Sequence, residues 1–337
     1  LKMIVAGGGT GGHFFPAQTI CKSLRSKGVK VKYIGSLYGI ESNYFNINSP
    51  EATLLNIRGI QRNFNLNACM INFLFPWRFM QSYFHSRKII NEFQPDVVIG
   101  TGGYSSGLPL LAAIHKGIKT VIQEQNSFPG ITTRKLCPKV NKVCIAFEDA
   151  KDYIKKNFIL TGNPIRGDIR LMNRAKAKQS YNFDPDRPVL AILGGSQGSF
   201  PFNLHFQNHL DQYTKSNIQI LWQCGKTDYP KLKELNRHQD VNIIPFTDNM
   251  DVFYSASDLI VSRAGALALS EMALLGKAMV LIPLPHSAGN HQTINAQTFS
   301  RAGAALLVHQ TALTSGSLEQ TVLALIHDSK RITRMEV

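Results

Sequence analysis

Short apolar runs rich in β-branched residues alternate along the chain with helical stretches. In the first half the runs Met3–Ala6, Val29–Ile34, Val97–Gly100, Thr120–Gln123 and Val143–Ala146 predict strands. After Pro188 come Val189–Leu193, Ile218–Trp222, Val241–Pro245, Leu259–Ser262 and Ala278–Ile282. These runs are continuously apolar rather than alternating, as in strands buried on both faces. With helices between them, they predict parallel sheets in an α/β fold.

An internal echo divides the chain. Met3–Ala6 leads into Gly7-Gly8-Gly9-Thr10-Gly11-Gly12-His13, and Val189–Leu193 leads into Gly194-Gly195-Ser196-Gln197-Gly198. Each is a strand entering a glycine loop that opens a helix, the start of a doubly wound domain. Two such starts predict two Rossmann-like domains, and 337 residues suit two better than one. Gly162-Asn163-Pro164 breaks regular structure, so the expected domains are 1–162 and 163–337. The last helix is allowed to pack back on the first domain. A cleft between the two domains is the expected ligand site.

Composition adds polarity to this picture. The apolar share is 44% and the charged share 18%, a globular balance that excludes collagen, coiled coil and disordered tail. The net charge is +15, and it is lopsided. Up to residue 160 there are 20 Lys and Arg against 8 Asp and Glu; the remainder has 17 against 14. One basic half calls for an anionic partner: nucleic acid, phospholipid or a phosphorylated substrate. No recognition motif or basic arm accompanies the charge, so nucleic acid is not expected. Five scattered cysteines without a CxxC pair fit reduced, buried thiols. The early apolar strand carries the expectation of no signal peptide. The uncharged stretch 63–77 is too short and too rich in Asn to span a bilayer.

Glycine loops after strands let backbone N–H groups approach an anion at a helix N-terminus. Gly7, Gly9 and Gly12 formally match GxGxxG. A dinucleotide site also wants an acid near the end of the second strand. That stretch reads Lys30-Val31-Lys32-Tyr33-Ile34-Gly35-Ser36, which argues against an NAD-dependent oxidoreductase. Further glycine-bearing strand ends stand at Gly100-Thr101-Gly102-Gly103 and Ser262-Arg263-Ala264-Gly265. Four of them, two per domain, suit a ligand carrying a diphosphate.

One ordered set of motifs then resembles a family. It comprises Gly8-Gly9-Thr10-Gly11-Gly12-His13 with Pro16-Ala17, Gly102-Gly103-Tyr104, Glu124-Gln125-Asn126 and Gly162-Asn163-Pro164-Ile165-Arg166. It continues with Gly194–Gly198, Arg263-Ala264-Gly265-Ala266-Leu267, Ser270-Glu271 and His291-Gln292 followed by Asn295-Ala296. In order and spacing these resemble the MurG family of bacterial glycosyltransferases. The resemblance implies a GT-B fold: two Rossmann-like, doubly wound domains whose parallel sheets face each other across a cleft. It implies inverting transfer of N-acetylglucosamine from UDP-GlcNAc to undecaprenyl-pyrophosphoryl-muramoyl-pentapeptide, with no cofactor. It also implies a peripheral position on the cytoplasmic face of the cell membrane, with anionic membrane lipid and cell-wall synthesis proteins as candidate partners.

By that resemblance Thr10, Gly11 and Gly12 touch phosphates, Asn126 reaches the donor sugar, Arg166 lies near the nucleotide and Ser196 at the diphosphate. Thr247 falls where a backbone group reads the uracil edge. Ala266, Leu267, Ala268, Leu269, Ser270 and Glu271 match the segment around phosphate and ribose, with Glu271 on the ribose hydroxyls. Gln292 matches a contact to the sugar, with Asn295 just beyond it. Gln123, Thr133, Ala268 and His291 depart from the family's usual residues.

Transfer from a nucleotide sugar needs a base for the acceptor hydroxyl and stabilisation of the departing diphosphate. The sole Asp-x-Asp, Asp184-Pro185-Asp186, reads as a turn rather than a metal site. Loop amides, helix N-termini and Arg263 are then the expected stabilisers, without metal. His13, at the start of the helix after the first loop, is the expected base, held neutral by the helix end. Glu124 is the rival, as base or as a carboxylate fixing its loop. Tyr104 orients the acceptor or simply packs beside glycine. The segment Leu66–Ile90 holds Met70, Ile71, Phe73, Leu74, Phe75, Trp77, Phe79, Met80, Tyr83 and Phe84 with Arg78, Arg87 and Lys88; half are expected in the core and the excess on a lipid-facing patch with Arg58 and Arg62. The competing reading within the class is another GT-B enzyme acting on glycolipids.

Overall fold

The computed structural model describes residues 1–46, 49–60, 66–167, 169–195, 198–285 and 287–336. Two compact units emerge, Leu1–Ile165 and Arg166–Val337. The first holds a sheet of seven strands: β1 Lys2–Ala6, β2 Lys30–Ser36, β3 Ala52–Leu55, β4 Val97–Gly100, β5 Lys119–Glu124, β6 Lys142–Ile145 and β7 Phe158–Leu160. Their order is β3-β2-β1-β4-β5-β6-β7, parallel throughout. Continuous apolarity in β1 has its reason in two layers of cover. Ile4 and Ala6 join one buried cluster with Ile34, Val98 and Ile122, while Val5 turns to another with Phe14, Ala17 and Tyr33.

The second unit has six parallel strands, β8 Val189–Leu193, β9 Gln219–Gln223, β10 Val241–Ile244, β11 Leu259–Ser262, β12 Met279–Leu281 and β13 Ala305–Leu307, in the order β10-β9-β8-β11-β12-β13. Its core joins Leu190, Ile192, Trp222 and Val261 to Phe202, Phe206 and Tyr213 of the helix Phe200–Lys215. The last described helix is Ser329–Met335. It buries Ile332 and Met335 in the core of its own unit, and Arg174 pairs with Glu336 at 3.0 Å.

In both sheets the strand order reverses at the first strand, between β1 and β4 and between β8 and β11. Such switch points open a crevice at the carboxyl ends of the strands. Ala6 lies opposite Gly100, and Leu193 opposite Ser262, so all four glycine-bearing strand ends converge in pairs.

Among the described residues no helix is long and apolar enough to cross a membrane. All five cysteines are free; Cys21, Cys137 and Cys224 are buried, and burial pushes the Cys21 thiol up to about 12. Cys69 is exposed, against the expectation of uniformly buried thiols.

Candidate active site

In the first unit the helix Gly11–Ser26 begins where the loop after β1 ends, with Thr10 extended at its N-cap. Thr10 and Gly12 are exposed, and the amides of Gly11 and Gly12 meet no acceptor among the described residues. That is an open helix start of the kind that receives phosphate.

His13 lies in this first turn, and a chain of amides decides which of its nitrogens carries the proton. Asn163 donates to Gln125 O at 3.1 Å, so its Oδ1 accepts from Gln123 Nε2 at 3.3 Å. Gln123 Oε1 then accepts from Gln125 Nε2, which also donates to Thr101 O at 2.8 Å. Gln125 Oε1 is therefore an acceptor, 2.9 Å from His13 Nδ1, and Thr101 O is 3.0 Å from the same nitrogen. Two acceptors require a proton on Nδ1 and leave the lone pair of a neutral ring on Nε2. The ring fits because Gly102 and Gly103 lack side chains. A Cβ at Gly102 would stand 2.8 Å from Nδ1, and one at Gly103 3.1 Å from Cδ2.

Glu41 is a residue that sequence reasoning missed. It is fully buried in the turn Ile40–Asn43, and its carboxylate accepts from Gly9 N at 2.9 and 3.0 Å and from Ser36 N at 2.7 Å. An acid does stand near the end of β2, but the glycine loop itself occupies it, so it offers nothing to a ribose. Its signal in the sequence is an acid five residues past Ser36, beyond the strand end where a ribose-binding acid would stand.

Glu124 and Tyr104 take the structural side of the alternatives expected for them. Glu124, the rival base, is 1% exposed. It accepts from Asn126 N and Nδ2 (3.1 and 3.2 Å), Gly130 N (3.3 Å) and Thr133 Oγ1 (2.6 Å). With both oxygens engaged it anchors its loop, and Asn126 is held by it. Tyr104 packs beside glycine: a Cβ at Gly9 would fall 2.6 Å from its ring, and one at Gly59 3.1 Å. Burial pushes its phenol up.

In the second unit Glu271 collects Tyr254 Oη at 3.0 Å and Arg166 Nε at 3.7 Å, and Arg166 also donates to Asp248 O at 3.0 Å. Burial pushes the Glu271 carboxyl up, opposed by Arg166 and the Tyr254 hydroxyl. Thr247 accepts from Asn249 N through Oγ1 at 3.1 Å, beside a cavity of about 310 Å³ lined by Tyr181, Phe246 and Val252. Gln292 Oε1 takes Leu284 N at 2.9 Å. The helix Ala266–Leu274 opens after Gly265 without a side-chain cap, presenting Leu267, Ala268 and Ser270 half-buried in its first turns.

Other side chains of the expected donor site are engaged within the protein. Arg263 is 8% exposed. It donates to Ile282 O (3.1 Å), Pro283 O (3.2 Å) and Ser199 Oγ (2.9 Å). Its guanidinium also lies 4.4 Å from the Phe202 ring, and burial pulls its pKa down to about 10, leaving it charged at neutral pH. It therefore acts beneath the loop rather than as an open contact. Leu269 is fully buried and gives its N–H to Gly265 O. Asn295, also fully buried, donates to Ala264 O at 3.2 Å. Ala266 is 8% exposed, which leaves it chiefly the helix start to offer. Ser196 lies outside the described residues. Asp184-Pro185-Asp186 is the expected turn, with Asp186 N donating to Asp184 Oδ1 at 2.9 Å.

On the surface of the first unit Met70, Phe73, Leu74, Trp77, Met80 and Phe84 are exposed, Phe73 by 85%. They recur at helical spacing along Leu66–Phe73 and Phe75–Phe93, whereas Phe75, Phe79 and Tyr83 pack on the core. The segment divides between core and surface as expected; Arg62 lies outside the described residues.

Residues 3–145 match the glycosyltransferase family 28 N-terminal domain, and residues 189–336 the family 28 C-terminal domain. A relative from Flavobacterium psychrophilum is 39% identical over 93% of this chain and 86% of its own length. One from Christiangramia forsetii is 37% identical over 99% and 91%. Both are named UDP-N-acetylglucosamine–N-acetylmuramyl-(pentapeptide) pyrophosphoryl-undecaprenol N-acetylglucosamine transferase. The crystal structure of Acinetobacter baumannii MurG is similar with a TM-score of 0.76 at 27% identity, covering 99% of this chain and 93% of that one. With both domains matched and the same name carried by relatives over nearly its full length, the chain belongs to the MurG family of family 28 glycosyltransferases.

Proposed function

We propose that this protein transfers N-acetylglucosamine from UDP-GlcNAc to the 4-hydroxyl of the muramoyl sugar of undecaprenyl-pyrophosphoryl-muramoyl-pentapeptide, with inversion, in peptidoglycan synthesis. The observation that carries the chemistry is His13, whose Nδ1 is committed to two acceptors while Nε2 meets none among the described residues. A neutral imidazole so held takes the acceptor hydroxyl's proton at Nε2 as the oxygen attacks the anomeric carbon, and the bond to the UDP oxygen breaks. The adjacent amides of Gly11 and Gly12 suit an acceptor phosphate.

Departing UDP carries developing charge. The start of the helix Ala266–Leu274 and the loop after β8, with the buried Arg263 cation beneath it, suit that charge without a metal. Glu271 suits the ribose hydroxyls, and Thr247 the uracil edge.

The exposed stripe from Met70 to Phe84 and the surplus of positive charge suit the interface of anionic membrane lipid, on the cytoplasmic face where a lipid-linked acceptor is met. The test offers labelled UDP-GlcNAc with the muramoyl-pentapeptide lipid and, separately, with other glycolipids. Transfer to the first alone is expected; preference for another lipid acceptor would overturn the assignment. In parallel, Phe73→Ser with Trp77→Ser should weaken binding to anionic vesicles several-fold.

A further inference from the structure

The second unit carries a buried cluster that none of this chemistry uses. His205 and His209 stand one turn apart on the helix Phe200–Lys215, their rings 4.5 Å apart between centroids. Glu319 faces them from the helix Ser317–Ile326. His205 Nδ1 donates to Leu313 O at 2.8 Å, and His209 Nδ1 to His205 O at 2.8 Å. Both imidazoles are thus oriented by backbone carbonyls, the support that metal-binding histidines receive; His209 Nε2 faces the carboxylate, and His205 Nε2 accepts from the Tyr213 hydroxyl at 3.4 Å with the carboxylate just beyond. His209 Nε2 lies 2.8 Å from Glu319 Oε1, and His205 Nε2 3.8 Å from Oε2.

Two features separate this cluster from an ordinary ion pair. Glu319 is 4% exposed, yet its buried Oε2 has no hydrogen-bond partner among the described residues. An orphaned carboxylate oxygen in a core is costly unless something fills the place. Moreover, one ligand atom from each residue lies within 4.8 Å of the others. The edge of a tetrahedral zinc site with bonds of about 2.1 Å is roughly 3.4 Å, so modest side-chain shifts close the site.

We propose that His205, His209 and Glu319 bind a divalent transition metal, zinc foremost, which clamps the helix after the second glycine loop to the helix bearing Glu319. Two imidazoles and one carboxylate are a borderline N/O set that suits Zn²⁺. His209 is the one ligand with appreciable side-chain exposure, 27%, so entry and a fourth, water position lie on its side. Metal binding displaces the proton shared between His209 and Glu319 to solvent. The clamp is independent of the transfer reaction and of the acceptor assigned above.

The test uses the full chain stripped with chelator and titrated calorimetrically with Zn²⁺ alone. One equivalent is expected to bind, with a rise in the unfolding temperature; His209→Ala and Glu319→Gln should each weaken binding about tenfold or more. Reconstitution with Co²⁺ should give the visible absorption of a four-coordinate site in the wild type and not in His209→Ala. Equal uptake by wild type and variants would mean adventitious binding, for instance at the exposed Cys69, and would overturn the proposal. No uptake by the wild type would leave an ion pair only and would overturn it equally. If Glu319→Gln fails to fold, the partly exposed His209→Ala still decides.

Discussion

The two glycine loops open equivalent places in equivalent sheets, yet the charges beneath them are opposite. In the first unit the loop closes over a carboxylate, Glu41, which takes the Gly9 and Ser36 amides. In the second, a cation, Arg263, reaches up to Ser199 at the loop's far end. Overall charge runs the other way, since the first half holds most of the +15. Net charge therefore says little about the field at a site, where one buried group close by outweighs many solvated ones. An anionic group meeting the first loop has the open amides of Gly11 and Gly12 but an acid behind them. The second loop has a cation already in place.

The sharpest test of that division is His13→Ala, which should lower kcat by about 10²–10⁴-fold while leaving UDP affinity unchanged. Weakened UDP binding in this variant would break the separation between the loops. Arg263→Met removes the cation and its three bonds, and should weaken UDP binding about tenfold or more by calorimetry. Glu41→Gln keeps one acceptor oxygen and loses the charge, so destabilisation of about 1–3 kcal/mol is expected, confined to the first unit. Urea unfolding followed by circular dichroism should show that loss, while fluorescence of the buried Trp222 reports an unchanged second unit.

The smallest effect concerns another buried cation of the second unit. Lys277 is 2% exposed, donates to Ser257 O at 3.0 Å, and burial pulls its pKa down to about 8. An unfolded lysine titrates near 10.4, so between about pH 8 and 10.4 the unfolded chain holds the extra proton and stability rises with pH. Lys277→Met should flatten that rise in the Trp222 unfolding curve; an unaltered slope would show that Lys277 does not titrate there.

Sequence pattern located every central strand within a residue or two, because most are covered on both faces and carry largely apolar runs; β2, with Lys30 and Lys32 in its first half, is the exception. The strands it missed, β3, β7 and β13, are all sheet edges of three or four residues, too short to stand out. At the site, His13 and the open amides of Gly11 and Gly12 were legible because loop and helix start are local. Motif matching could not tell a ligand contact from a brace. Glu124, Arg263 and Asn295 stand at motif positions because the loops need them to hold shape, and only their burial and partners reveal it. The spacing of His205 and His209 was visible on one helix, whereas the third member comes from another.

One edge has its own consequence. Every residue of β7 is exposed, and Phe158, Ile159 and Leu160 form an apolar run on a rim with unsatisfied backbone groups. Such a rim invites a strand from a second molecule, the first step towards aggregation. Lys155 and Lys156 stand just before it and Pro164 just after, a charge and a chain-breaker flanking the risk. Lys156 also donates to Val140 O, so replacing the exposed Lys155 with a neutral residue is the change that should leave the fold intact and lower solubility at high concentration.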